Sequence, residues 1–188
     1  MLVPDFRPQF SNSSTIGQSA KRIALRTGNF HPKEVIATEY REFNLRHAQI
    51  LVSSYKHFTE RDLLPMNLSP LELAERLFEA PFILLSHGTE VDPVLNYGNR
   101  AALTLWEMSW DEFTRLPSRL TAEAPDREER ARLLAAVSTR GFIEDYSGVR
   151  RSHTGRRFKI ARATIWNLLL PNGAFYGQAA MFDHWGRI

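Results

Sequence analysis

The last third of the chain reads FIEDYSGVRR (142–151), RRFKIARATIWNLLL (156–170) and AFYGQAAMFDHW (174–185). These stretches are joined by HTG (153–155) and PNG (171–173), both hairpin-type turn signals. Three consecutive strands linked this way predict an antiparallel sheet. In the middle strand, strict alternation puts Phe158, Ile160, Arg162, Thr164 and Trp166 on one face. Lys159, Ala161, Ala163, Ile165 and Asn167 fall on the other. Neither face is cleanly polar, so both are expected to be covered.

Upstream, PDREERARLLAAVSTRG (125–141) is a helix with a Leu133, Leu134, Val137 stripe. Asp126 is its expected N-cap, acids fill its first turn, and Gly141 stops it. NRAALTLWEM (99–108) and SWDEF (109–113) are short helices, the second with Ser109 and Glu112 at capping-box spacing. FILLSHG (82–88) and PVLNYGN (93–99) are short strands bounded by Pro and Gly. Ser69, Pro70 and Glu72 open a helix that ends near Ala80. Phe43, Ala48, Leu51, Val52, Tyr55 and Phe58 mark a longer helix over 40–58. Residues 1–38 show no sustained period. They are expected to form an extended or partly disordered arm, with a helical turn or two in SAKRIALR (19–26). The expected organisation is an arm (1–38), N-terminal helices (39–80) and a sheet domain (81–188).

The chain has 188 residues, 43% hydrophobic and 24% charged, ordinary for one globular domain. It has no cysteine, which excludes disulfides, thiolate metal sites, a cysteine nucleophile and a cysteinyl cofactor adduct. That absence favours the cytoplasm. No apolar run is long enough to span a bilayer, and the N-terminus lacks the pattern of a secretory signal. The net charge is +3, but residues 1–34 hold five basic and two acidic side chains, so the remainder balances. A phosphate-binding face needs more cations than that, so direct nucleic-acid binding is not expected.

The order of strand, strand, short helices, long helix and three antiparallel strands resembles the PAS fold. The expected class is therefore α+β, a five-stranded antiparallel sheet with helices on one face, plus an N-terminal helical extension. SHG (86–88), DPVLNYGN (92–99), LPSR (116–119), ER-x-x-LL (129–134), WN (166–167) and GQAAMFDHW (177–185) together resemble the MEKHLA domain. That PAS-like module occurs alone in bacteria and at the C-terminus of plant class III homeodomain–leucine zipper regulators. This sequence has no homeodomain or zipper heptads, so it resembles the stand-alone form. TRLPSRLTAE (114–123) also resembles flavin-binding light-oxygen-voltage domains, which carry a reactive cysteine before an arginine. Here Ser118 precedes Arg119, so the light-driven adduct has no thiolate, while a non-covalent flavin or haem stays open. Gln178 resembles a flavin-contacting glutamine of that branch.

The resemblance implies a sensory module that binds a small organic ligand or a partner protein, with no catalysis of its own. Candidate ligand contacts are Trp106 and Trp110, which would roof a cavity, with Tyr97, Asn99, Phe158, Trp166 and Gln178. For any one aromatic the core is the role that such a residue more often has, since burying one contributes roughly 4–6 kcal/mol gross without any ligand. Arg119 would anchor an anion, or pair with Glu123, Asp126 or a helix C-terminus. His87 would coordinate haem iron or act as a base, or else bond a backbone carbonyl and pin a turn. Ser86 and His87, with Asp92, do not make a triad, because adjacent strand residues face opposite ways. No G-x-S-x-G, G-x-G-x-x-G, P-loop or metal-ligand spacing occurs. An alternative reading is a small enzyme using Arg119, His87, Tyr146 and Arg162; another is an adaptor acting only through protein contacts. The helix at 40–58 predicts a homodimer.

Overall fold

The computed structural model describes residues 32–65, 67–122 and 124–188. It comprises two units, residues 1–44 and 45–188. The arm at 1–38, with its expected turn at 19–26, lies largely outside the described residues. Helix α1 (Pro32–Thr59) begins earlier than the expected residue 40, at a proline suited to a first helical position. The sheet and all later helices belong to the unit 45–188.

The remaining elements are α2 (Pro70–Phe78), β1 (Ile83–His87), β2 (Leu95–Gly98), α3 (Arg100–Trp106) and α4 (Trp110–Phe113). A 3-10 turn (Ser118–Thr121) leads to α5 (Ala124–Arg140) and the strands β3 (Phe142–Arg151), β4 (Arg157–Leu169), β5 (Phe175–Phe182) and β6 (His184–Arg187). The sheet is antiparallel in the order β2-β1-β5-β4-β3, with β6 also paired to β4. Thr164 faces Met181 and Ala161 faces His184 in one unbroken register. So β6 is β5 resumed after an interruption at Asp183, and the five-strand plan holds.

Local chemistry accounts for the elements. Ser69–Glu72 and Ser109–Glu112 both form capping boxes, which satisfy two otherwise orphaned donors at each helix start. Asn99 caps α3. Helix α5 starts at Ala124, so Asp126 lies inside its first turn instead of capping it. Gly141, at φ +92°, ends α5 in a left-handed conformation.

Helices cover both faces. On one face α3, α4 and α5 bury Trp106, Phe113 and Val137 against Ile83, Phe158, Ile160, Ala163, Ile165 and Phe182. On the other, α1 and α2 bury Ala48, Leu51, Tyr55 and Leu77 against Leu84, Tyr97, Trp166 and Leu168. Strict alternation along β4 fails at one point. Arg162 has φ +54°, a left-handed conformation within a strand. Opposite it, β3 breaks register around Asp145, itself at φ +58°. The result is a bulge that switches the phase. Phe158 and Ile160 share a face with Ala163 and Ile165, while Trp166 turns to the opposite one.

Candidate functional site

Between the sheet and α3–α5 lies a cavity of about 50 Å³. Its wall includes Leu85, Leu95, Ile160, Ala163, Ile165 and Phe182, with His87, Trp106, Tyr146, Arg150 and Gln178 as polar members. Of the expected contacts it thus gathers Trp106, Gln178 and His87. Phe158 stands behind Trp106, edge-on with ring centroids 5.2 Å apart.

The other expected contacts lie elsewhere. The bulge at Arg162 sends Trp166 to the opposite face, where it meets Tyr55 at 5.0 Å. Tyr97 and Trp110 stack edge-on at 5.7 Å in that same outer cluster. Asn99 is fully buried, and its amide is wholly occupied by backbone groups of Ala80, Phe82, Leu84 and Ala102. Arg119 reaches outward to both carboxylate oxygens of Asp92 at 3.0 Å, with half its side chain exposed. Asp92 is thus its partner among the described residues, while the expected alternatives Glu123 and Asp126 lie outside the described side chains, and an exposed pair of this kind contributes roughly 0–1 kcal/mol.

Within the cavity wall, two residues have structural work. His87 Nδ1 bonds Gly88 O at 2.8 Å, so the ring pins its own turn. The Gln178 amide nitrogen is within bonding distance of Leu134 O, Ser138 Oγ and Asn167 Oδ1, tying α5 to the sheet. Ser86, next to His87, faces the other way and receives His47 Nε2 at 2.8 Å. Burial pushes the His47 ring down to about 3, so it is neutral. A Ser86–His87–Asp92 triad is therefore ruled out by geometry. The residues of the enzyme alternative are also dispersed. His87 and Tyr146 line the cavity, Arg119 is on the surface, and Arg162 borders a cleft with Asp145 and Asp183 on the outer side of the bulge.

The sequence reading missed Arg150. It is 5% exposed, and its Nη2 donates to Tyr146 Oη at 2.8 Å. The available signal was spacing, since Tyr146 and Arg150 are four apart on a strand and share a face. A flavin or haem does not fit this space on volume. Pockets for drug-sized ligands run to about 300–1,000 Å³, several times this space. Ser118 offers no thiol for a covalent adduct, and the Gln178 amide nitrogen is already engaged.

A second, open groove of about 620 Å³ runs between α3 and β6. Its rim carries the ion pairs Arg100–Glu79 and Arg156–Glu107, and it includes the half-exposed Trp185. Among the described residues no group of three His, Cys, Asp or Glu could hold a metal, and no helix is long and apolar enough to cross a membrane.

Comparison with known proteins points the same way. No curated protein matches the sequence. The PAS domain of a protein from Colwellia psychrerythraea superposes with a TM-score of 0.52 at 14% identity, over 61% of this chain and 92% of that one. An RNA-binding light-oxygen-voltage receptor gives 0.54 at 20% identity, over 64% of this chain and 33% of the receptor. A light-oxygen-voltage domain studied with a flavin analogue gives 0.50 at 14%, over 62% and 84%. These likenesses show a PAS fold. The family model described as the MEKHLA domain matches residues 45–187, the entire sheet with its helices, so the chain belongs to the MEKHLA domain family.

Proposed function

We propose that this protein is a sensory module that binds a small organic ligand between its sheet and α3–α5, with no catalysis of its own. The observation that carries this is the cavity lined by Trp106 of α3 and by Tyr146 and Arg150 of β3. Strand β1 links that cavity to the outer face, because His87 lines it while the adjacent Ser86 holds His47 of α1. A ligand that displaces β1 therefore displaces the seat of α1. Binding becomes a change in an outer surface that another protein can read.

The lack of cysteine and the balanced charge of residues 35–188 support a cytoplasmic protein that does not bind nucleic acid directly. A homodimer through the helix at 40–58 would have to use residues other than Leu51 and Tyr55, which already bury against this chain's own sheet. Partner binding has a specific site in its favour, the groove beside the exposed Trp185.

The test is denaturing mass spectrometry and an absorbance spectrum of freshly purified protein. A released molecule of low mass without visible absorbance is the expected result. A stoichiometric flavin or haem would keep the ligand-binding role and overturn the small volume assigned to the cavity. A clean protein whose melting temperature no small metabolite moves would leave the partner-binding role in its place.

A further inference from the structure

We propose that the cavity is built for a small organic carboxylate, held at its head by Arg150, Tyr146 and Trp106. This rests on the ligand-binding reading and names the chemistry of the ligand. The first observation is a charge without a counter-charge. Among the described residues Arg150 is the only Arg, Lys, Asp or Glu that is buried. Arg61, Arg100, Arg119 and Arg156 each have a carboxylate partner and are at least half exposed. Arg150 loses the most hydration, yet no carboxylate among the described residues meets it. It contacts Tyr146 Oη, the carbonyl of Val149 at 2.8 Å, and the Tyr146 ring at 5.3 Å. A buried guanidinium without a counter-charge is destabilising. An anion entering the cavity removes that cost.

The second observation is independent. Trp106 Nε1 is buried in the same wall with no acceptor among the described residues. Tyr146 Oη accepts from Arg150, which leaves its own proton to donate. Three donors thus face a space whose other walls are largely aliphatic. The matching ligand has a head that only accepts and a short apolar body. A carboxylate fits the fork of a guanidinium. The volume of about 50 Å³ admits only a few non-hydrogen atoms, roughly a two- to four-carbon acid.

Gly148 shows that the pair is built in. A Cβ there would lie 2.5 Å from Tyr146 Oη and 3.0 Å from Arg150 Nη1. Only the missing side chain lets the two close over the strand.

The experiment is calorimetric titration of the full chain with sodium acetate, propionate and butyrate. Sodium chloride at matched ionic strength, sodium phosphate and butyramide serve as controls. Saturable binding of at least one carboxylate is expected, with butyramide weaker by about tenfold or more, as loss of a charge-assisted contact requires. Arg150→Gln should abolish it. If that variant does not fold, Trp106→Phe and Gly148→Ala, which keep the charge, should each weaken binding several-fold. Equal binding of butyramide, or unchanged binding in folded Arg150→Gln, overturns the proposal, as does phosphate binding better than every carboxylate. If no carboxylate binds but a neutral molecule co-purifies, the carboxylate assignment fails and the sensory reading stands. If no small molecule binds at all, both fail.

Discussion

Asn99 accepts from Leu84 N and Ala102 N and donates to Ala80 O and Phe82 O, which uses the amide's full capacity. One side chain thereby caps α3 and holds the start of β1. Asn99→Ala strands four buried backbone groups and should lower stability by about 3–4 kcal/mol. The check is a urea midpoint shift at constant slope. Asn99→Asp should be no better, because it turns both donors into acceptors facing carbonyls. Gly177 is constrained for a different reason. At φ +150°, a Cβ there would sit 2.1 Å from His87 O, inside the β1–β5 pairing. Gly177→Ala should cost about 2–4 kcal/mol, read by the same measurement. A smaller loss would mean that β1 can move aside cheaply.

Strand β4 behaves as two half-strands of opposite phase. The hinge is Arg162, whose positive φ puts Ile160 and Ala163 on one face and frees Trp166 for the other. Alternation read from the sequence assumes no such residue, so it assigned Trp166 and Phe158 to a common face. A left-handed arginine costs about 1 kcal/mol against glycine. Arg162→Gly should therefore raise stability by roughly that amount, while the β-branched Arg162→Val should lower it by at least as much. Equal stabilities by denaturant titration would show that the strand can lose its bulge. The helices were easier to read, because capping boxes and stop glycines are short-range chemistry. The exceptions were α1, which starts before 40, and α5, which starts before Asp126.

At the scale of the molecule, His47 ties α1 to the sheet. It is 1% exposed, bonds Ser86, and sits 5.4 Å from the Tyr97 ring. Its folded value of about 3 lies below the ordinary 6.5, so the unfolded chain takes a proton that the folded chain refuses. Stability should therefore fall as pH drops below about 6.5, by up to about 1.4 kcal/mol per pH unit until the folded value is reached. The carboxyls of Glu72, Glu79, Glu107 and Glu112 are all held below the usual range, so their loss enters only at lower pH. Between pH 6.5 and 5 the slope belongs mainly to His47, and His47→Gln should flatten it in denaturation measured across that window. An unchanged slope would mean that the ring is already open to water.

Sequence alone determined the element order, the hairpin-linked strands, both serine capping boxes, and the exclusion of thiol chemistry. Each of these rests on neighbours within a few positions or on composition. Tertiary structure decided which face each aromatic serves, because a single left-handed residue in β4 reverses a period that local pattern cannot see. It also decided that Arg119 meets Asp92 at the surface while Arg150 is buried. The two arginines look alike in sequence. The fold alone determines which of them is withdrawn from water and left facing a cavity.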